Sequence, residues 1–559
     1  MKNIIKMTLA AAVLGITASC TDLDVDVKSK YTEYPNDPLA IEGKMSDVYY
    51  SFRQALGNNY NRVQTFSSDE ATGVSFGTDY FDKGENIHPS IHNFMSGDDP
   101  ANYWTDLASG ITKCNKIIEE FKETPKVAAP ARLMRAFYHF ILMDSYGDVP
   151  VLDHLPADNE AVVRSPRKEV AEFIEKEVKE CLPDLSDKND ASTYGKPNKW
   201  MAEALLVKLY INWGVYTCGD VTKYDVATTK NSKLDECVKY CDDIIGSGLF
   251  NLNDPYRKKF MFDNGPQIKD FIYAMPYDKV SAQGLLYGRY RAFRRIDDGD
   301  TQGYYGGKMG KSCAGICAMN PEFADLFCLE GDDRNDAVLK GKVFIHDAIT
   351  GEETDQPYIY KGTQLELTKT ISLQEGGLAT LNCGATPDGW RQGYRSIKFY
   401  PNPNEYSAYN RYQSNDVPIF RYADHPHKGR GYKARSHRHQ RRHATVALQS
   451  DSQLRACSPA RPQSFASGNP RRTRSRILRR ELAPQRHDTF RHVRERIRIP
   501  QTQQSGRPLR QDMPHPARPR RHPQGEYQLG TESRIQQLII AIVNTLPTTA
   551  NNLTDKLSV

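Results

Sequence analysis

The stretch LMRAFYHFILMDSYGDVP, residues 133–150, decides the fold class of this chain of 559 residues. It indicates a helix over 128–146 that is apolar on nearly every side, and such a helix must be buried between neighbours. Gly147 then ends it, and Val149-Pro150 leads the chain away, as helix stop signals do. The stretch therefore predicts a fold in which helices surround a buried central helix.

Helical periodicity continues on both sides of this stretch. Apolar residues recur three and four positions apart in five further segments, and Ser165-Pro166 offers one of them a cap and a first-turn proline. Helices of this length joined by short or moderate loops pack as antiparallel pairs. We predict a mainly α fold, an α-solenoid of tetratricopeptide-like helix pairs with long irregular loop and short-strand insertions. The five segments are 39–56, 103–121, 165–182, 197–216 and 234–245.

The periodicity fades over residues 250–421. Segments rich in glycine and tyrosine predict long surface loops with short strands there, and irregular insertions on a rigid scaffold usually carry the binding function. We therefore expect the ligand to bind in this loop-rich part.

Catalytic and metal-binding signatures are missing from the sequence. The 11 cysteines show no zinc-site spacing, so most are expected to be small buried residues. His88 and His92 lack a third ligand, and no phosphate loop or hydrolase motif is present. We predict a non-catalytic protein without a metal or a cofactor.

The first 19 residues have the pattern of an export signal. A short cationic start precedes an apolar run from Met7 to Ile16, which is too short to span a bilayer and predicts a signal peptide over 1–19. Cys20 follows small residues and resembles a lipobox cysteine, although Thr17 stands where Leu is usual. We predict lipidation at Cys20, followed by a linker over 20–38. An ordinary secretory signal with an incidental cysteine is the alternative.

Composition changes abruptly after residue 424. Residues 1–424 carry 48 basic and 61 acidic residues, whereas residues 425–530 carry 25 basic residues, 23 of them arginine, against six acidic ones. With only four aromatic residues, the basic stretch cannot offset its chain entropy by burial, so we predict an aberrant, disordered segment over 425–559. Two alternative explanations account for this segment: an arginine-rich arm that binds nucleic acid, or a reading-frame error in the gene. The frame error is favoured, and no nucleic-acid partner is predicted.

Six blocks of residues resemble motifs of the SusD/RagB family of surface glycan-binding lipoproteins, and they follow one another in the same order as in that family. The most specific block is 133–150, similar to the family pattern LRAf.y..l...yGdvP. The resemblance covers residues 1–424 and predicts a single domain over 39–424. After it, His425-Pro426 replaces the start of the family's C-terminal helices, and proline there would break a helix, which independently favours the frame error. The other blocks are 104–118, 198–206, 242–252, 332–334 and 415–424.

The resemblance implies a lipid-anchored protein of the outer membrane that faces the cell exterior. Asp22, Asp24 and Asp26 are similar to the signal that sends some lipoproteins to that face. Such a protein captures a polysaccharide or oligosaccharide and delivers it to a partner TonB-dependent transporter of the SusC type. A lipid-anchored helical-repeat scaffold that binds peptides or proteins is the alternative.

Glycan binding needs flat aromatic rings for the apolar face of a sugar and side chains that make paired hydrogen bonds. We expect these residues on predicted loops, and the alternative for each aromatic residue is a packed loop anchor. Adjacent carboxylates such as Asp297-Asp298 diverge in an extended chain, unlike a glycosidase pair. The candidates are Asp79, Tyr80, Phe81, Tyr287, Arg289, Tyr290, Tyr304, Tyr305, Trp390 and Arg391.

Overall fold

The computed structural model describes residues 38–75, 87–94, 103–226, 228–286, 304–306, 317–360, 362–374, 381–384 and 386–425. All of them belong to the first of two compact units, Met1–Pro462. The second unit, Gln463–Val559, lies outside the described residues, as do the predicted signal peptide, Cys20 and the basic segment from Pro426 onward.

Six long helices form the first part of the described chain, and they confirm the predicted mainly α fold. Shorter helices join or extend them at Arg53–Ala55, Leu56–Tyr60 (a π-helical turn), Asn61–Phe66, Leu182–Asp184, Trp213–Thr217 and Val221–Lys223. The long helices are α1 (Pro38–Tyr49), α2 (Trp104–Glu120), α3 (Pro125–Tyr146), α4 (Arg167–Cys181), α5 (Lys199–Ile211) and α6 (Leu234–Gly246).

Three predicted helix boundaries were wrong. The segment predicted over 39–56 ends at Tyr49, after which the chain continues in short turns. The segment over 197–216 breaks at Asn212, where the side chain donates back to the Lys208 carbonyl at 3.2 Å. Pro166 precedes α4 instead of occupying its first turn, and Ser165 does not cap it. By contrast, Asn198 caps α5 by accepting from the Met201 amide at 3.0 Å.

Helices that follow one another in the chain pack together, α2 against α3, α3 against α4, and α5 against α6. Every residue of α3 from Leu133 to Met143 is buried, as the apolar pattern predicts. Gly147 ends this helix with φ at 80°, a conformation that glycine adopts without strain.

A buried polar network fixes α3 against its two neighbours. Arg135 donates to Asn115 Oδ1 on α2 at 2.9 Å and through Nε to Glu177 Oε1 on α4 at 3.1 Å. Arg132 adds two bonds to the same Glu177 carboxylate, at 3.0 and 2.9 Å. His139 donates from Nδ1 to the Arg135 carbonyl and accepts the Leu152 amide on Nε2, and burial lowers its pKa to about 4. Two of the blocks that carry the family resemblance, 104–118 and 133–150, therefore meet in one charged cluster, together with Arg132 and Glu177.

Short antiparallel strand pairs dominate the chain after residue 250, together with short helices at Arg257–Phe260, Pro321–Ala324, Asp333–Ala337, Pro387–Trp390 and Pro403–Ala408. The strands are β1 (Ala71–Gly73), β2 (Phe271–Met275), β3 (Cys317–Met319), β4 (Val338–Leu339), β5 (Gly341–Lys342), β6 (Phe344–His346), β7 (Glu353–Pro357), β8 (Ile359–Tyr360), β9 (Thr363–Gln364), β10 (Glu366–Leu367), β11 (Arg395–Ser396) and β12 (Val417–Arg421). They form the pairs β1–β3, β2–β12, β4–β11, β5–β10, β6–β7 and β8–β9.

The pair β2–β12 joins the loop-rich part to the helical core. Tyr273 on β2 and Phe420 on β12 are buried in the same hydrophobic cluster as α3 and α5. Next to β12, Asp416 accepts the Tyr194 hydroxyl at 2.6 Å and the Tyr277 amide at 2.8 Å. Burial raises the pKa of Asp416 to about 6. The two parts are thus held by both apolar packing and hydrogen bonds.

A second hydrophobic cluster, rich in tyrosine, lies within the loop-rich part, and we call it the tyrosine core. Leu339, Ile345 and Leu367 come from strands, whereas Tyr304, Tyr305 and Tyr400 come from segments outside the helices and strands. Its buried members are Met261, Tyr304, Tyr305, Leu339, Val343, Ile345, Tyr358, Leu365, Leu367, Ile397, Tyr400 and Tyr406.

Most cysteines of the described residues are buried, as predicted, and Cys237 and Cys241 are both buried on α6. Cys328 differs, since it is disulfide-bonded, which the sequence analysis did not anticipate. Within the described part of the chain, no helix combines the length and apolarity needed to cross a membrane.

Candidate functional site

Tyr304 and Tyr305 do not lie on an open surface. Both are 0% exposed in the tyrosine core, with ring centroids 4.2 Å apart. Tyr304 packs edge-on against Tyr358 at 6.1 Å, and Tyr305 against Tyr400 at 4.9 Å. A sugar cannot stack on a ring without an exposed face, so the binding role predicted for these two residues is corrected to that of packed anchors.

Six other predicted site residues lie outside the described residues. They are Asp79, Tyr80, Phe81, Tyr287, Arg289 and Tyr290.

Trp390 and Arg391 lie together at the surface with a residue that the sequence analysis did not select. Trp390 ends the short helix Pro387–Trp390, and one part of it packs against Val74, Ala318 and Cys383. Its indole lies 6.1 Å from the Tyr360 ring on β8, with only 31° between the planes. Both side chains are half-buried. Two neighbouring, half-buried rings form a platform of the kind that binds the apolar face of a sugar.

Arg391 provides hydrogen-bond donors beside this platform. Its Nη2 donates to Thr363 Oγ1 on β9 at 3.2 Å, and its Nη1 lies 3.9 Å from the exposed Asp388 carboxylate. Its Nε makes no hydrogen bond within the described residues. A planar guanidinium offers paired donors in a fixed fork, which suits vicinal hydroxyls. We call Trp390, Tyr360, Arg391, Thr363 and Asp388 the Trp390 patch.

A cleft of about 660 Å³ lies elsewhere in the loop-rich part, and we call it the Arg257 cleft. Tyr256 and Arg257 form one wall, the segment after Asp333 another, and the β6–β7 hairpin a third. Further lining residues are Pro255, Lys258, Asn335, Asp336, Val338, Leu339, Lys340, Lys342, His346, Thr350, Gly351, Glu352, Glu353 and Ile397.

Polar side chains line this cleft, and one of them is buried. Arg257 donates to the carbonyls of Gly351 and Ile397, both at 3.0 Å, and burial lowers the pKa of its guanidinium. His346 is 3% exposed. Its burial, and to a lesser degree the positive charge of the nearby Arg257, lower its pKa to about 4. Its Nε2 lies 4.0 Å from Glu353. Partial burial and the negative charge of the neighbouring Asp336 raise the pKa of Glu353. At neutral pH, His346 is therefore an uncharged ring with one donor and one acceptor.

The sequence held a signal for Tyr360 but none for the cleft. Alternating Tyr358, Ile359 and Tyr360 before Gly362 indicates a strand that enters a hairpin, and Gly362 has φ at 83°. The cleft is assembled from four separate segments, so no local pattern marks it. Among the described residues, no group of acidic, histidine and cysteine side chains is placed to hold a metal ion.

Comparison with known proteins gives consistent matches over most of the helical part. Residues 23–211 match the SusD-like family described as starch-binding and associating with the outer membrane. The starch-binding protein SusD of Bacteroides thetaiotaomicron is 28% identical over 163 residues, which are 29% of this chain and 25% of that protein. The matched region thus spans about a quarter of the length of the curated relatives.

Solved structures extend the likeness of fold beyond that region. A laminarin-binding SusD-like protein aligns with a TM-score of 0.51 at 18% identity, covering 71% of this chain and 80% of its own. A SusD homologue from Bacteroides thetaiotaomicron aligns with a TM-score of 0.52 at 16% identity, covering 78% and 81%. At these identities the likeness concerns the fold alone.

Proposed function

We propose that this chain is a non-catalytic glycan-binding protein of the cell surface, because residues 23–211 match the SusD-like family and the Trp390 patch offers a surface suited to sugars. The patch carries the proposal because it combines two neighbouring aromatic rings, 6.1 Å apart, with the guanidinium of Arg391, which bonds to Thr363 on β9. The predicted residues Trp390 and Arg391 are its core. The six predicted site residues outside the described part remain proposed contributors.

The proposal extends to how the protein is placed and what it serves. Lipidation of Cys20 would hold the domain at the outer membrane, facing the exterior, where it would capture a polysaccharide or oligosaccharide. Its partner would be a TonB-dependent transporter of the SusC type, which takes the captured glycan. Incorporation of a labelled fatty acid that is lost in Cys20→Ser tests the anchor, and co-purification of the transporter with the wild-type protein tests the partner.

Binding to the patch is tested by calorimetry of the full chain with soluble starch and laminarin. Trp390→Ala should weaken the affinity for the bound glycan about tenfold, since the loss of one stacked ring costs on the order of 1.4 kcal/mol. Tyr409→Ala is the matched control, because Tyr409 is 38% exposed and lies outside the patch. It should leave the affinity unchanged.

Two results would count against the proposal. Equal affinities of Trp390→Ala and wild type would remove the patch from the binding site. Binding of peptides with no binding of either polysaccharide would favour the helical-repeat scaffold instead.

A further inference from the structure

The Arg257 cleft contains a buried polar side chain in which one ring nitrogen lacks a hydrogen bond of normal length and angle. His346 is 97% buried and lines the cleft, and its Nδ1 makes no such bond within the described residues, although the backbone of Tyr304 and Phe344 lies near the ring. A buried nitrogen without a well-formed hydrogen bond is destabilising unless a ligand or water supplies its partner. Its position in a cleft of about 660 Å³ therefore points to a bound molecule.

Basic and acidic side chains line the cleft in equal numbers. Four basic residues, Arg257, Lys258, Lys340 and Lys342, face four acidic ones, Asp333, Asp336, Glu352 and Glu353. Within the described part of the chain, no ion pair of 4.0 Å or less joins any of the four basic residues to any of the four acidic ones. A strongly charged ligand would meet repulsion from one set whichever its sign.

These features fit a neutral ligand that is rich in hydroxyl groups. A sugar hydroxyl donates to a carboxylate while it accepts from a lysine or arginine, so both sets of charges gain partners. The neutral His346 ring has one nitrogen that donates and one that accepts, and each can bond to a different hydroxyl. Tyr256 adds a half-buried aromatic wall, held edge-on against Phe260 at 5.1 Å. The cleft volume lies within the roughly 300–1,000 Å³ of small-ligand pockets, which suits a short oligosaccharide.

We propose that the Arg257 cleft is a second saccharide-binding site, separate in its residues from the Trp390 patch, which takes a short, uncharged oligosaccharide. The inference rests on the proposed glycan-binding function and adds a site to it. Its carboxylates Asp336 and Glu353 accept from the sugar, and Arg257 and His346 form the polar floor.

The test is calorimetry of the full chain with maltoheptaose and laminarihexaose. The wild-type protein should show two binding events with the oligosaccharide that it accepts. A double variant with Asp336→Asn and Glu353→Gln should weaken one event at least tenfold, and Trp390→Ala should weaken only the other. Both acidic residues are exposed, so the substitutions should leave the fold intact. Glu172→Gln on the exposed face of α4 is the matched control and should weaken neither.

The outcomes separate this inference from the proposed function. A single event that is lost in Trp390→Ala and unchanged in the double variant would overturn the second site and leave the proposed function standing. No binding of either oligosaccharide or of the parent polysaccharides would overturn both. If tetra-alanine binds and the double variant loses that binding, the cleft is a peptide site and the saccharide assignment is wrong.

Discussion

The buried network of the helical part and the rim of the Arg257 cleft use charged side chains in opposite ways. In the helices, Arg135 is buried and Arg132 is half-buried, and both donate to the buried carboxylate of Glu177. Around the Arg257 cleft, side chains such as Asp336 and Lys342 are exposed and make no ion pair within the described residues. Charges that are satisfied internally fix a scaffold, whereas charges left facing a cleft are available to a ligand.

The largest loss of stability is expected when the central carboxylate of the helical network is removed. Glu177→Ala leaves Arg135 buried without its carboxylate, and the loss of one partner of a buried pair typically costs about 3–5 kcal/mol. Urea unfolding followed by helical circular dichroism should show a decrease of about 4 kcal/mol in the free energy of unfolding.

Glu172 supplies the matched control on the same helix. Its carboxylate is exposed and lies 3.8 Å from Lys168 one turn earlier, a pair worth about 0.3–0.5 kcal/mol. Glu172→Ala should therefore lower the free energy of unfolding by less than about 0.5 kcal/mol. Similar losses for the two variants would show that the buried network does not stabilise the scaffold.

The sequence predicted the helices well because each one repeats its apolar residues locally. The periodicity at 103–121 and 234–245 placed α2 and α6 within one residue of their observed ends. Prediction failed where distant segments decide the outcome. Tyr304 and Tyr305 stand in a glycine-rich stretch typical of a surface loop, but Tyr358 and Tyr400, more than fifty residues away, bury their rings. The partnership of Trp390 with Tyr360 likewise depends on a hairpin that approaches from another part of the chain.

A second variant tests whether the tyrosine core is a true core of the loop-rich part. Tyr304→Ala removes a fully buried ring that contacts Tyr305 and Tyr358, and deletion of a buried aromatic side chain costs about 3–5 kcal/mol. We expect a loss near the lower end, about 3 kcal/mol, together with faster proteolysis of the loop-rich part. Tyr304→Phe keeps the ring and should lose far less. If Tyr304→Ala weakens glycan binding while the free energy of unfolding stays the same, the ring is a ligand contact after all.

The smallest expected effect concerns a carboxylate that is buried in the helical part without a full set of partners. Glu203 on α5 lies 3.8 Å from Lys199, and its Oε2 has no hydrogen-bond partner within the described residues. Burial raises its pKa to about 7, and the charge of Asp243 on α6 adds to the increase. Glu203 thus departs from the pattern of mutually satisfied charges that Glu177 shows.

This exception predicts a specific dependence of stability on pH. The folded protein binds a proton on Glu203 more tightly than the unfolded chain does, so the stabilisation is complete below the ordinary pKa of 4.5 and is lost as the pH rises towards about 7. Glu203→Gln removes this titration. The variant should match the wild type near pH 4.5 and exceed its free energy of unfolding by about 2 kcal/mol at pH 8, because solvent screening reduces the roughly 3.4 kcal/mol to which a pKa shift from 4.5 to about 7 corresponds. Urea unfolding of both proteins at several pH values measures the difference, and a constant difference across that range would mean that Glu203 titrates normally in the fold.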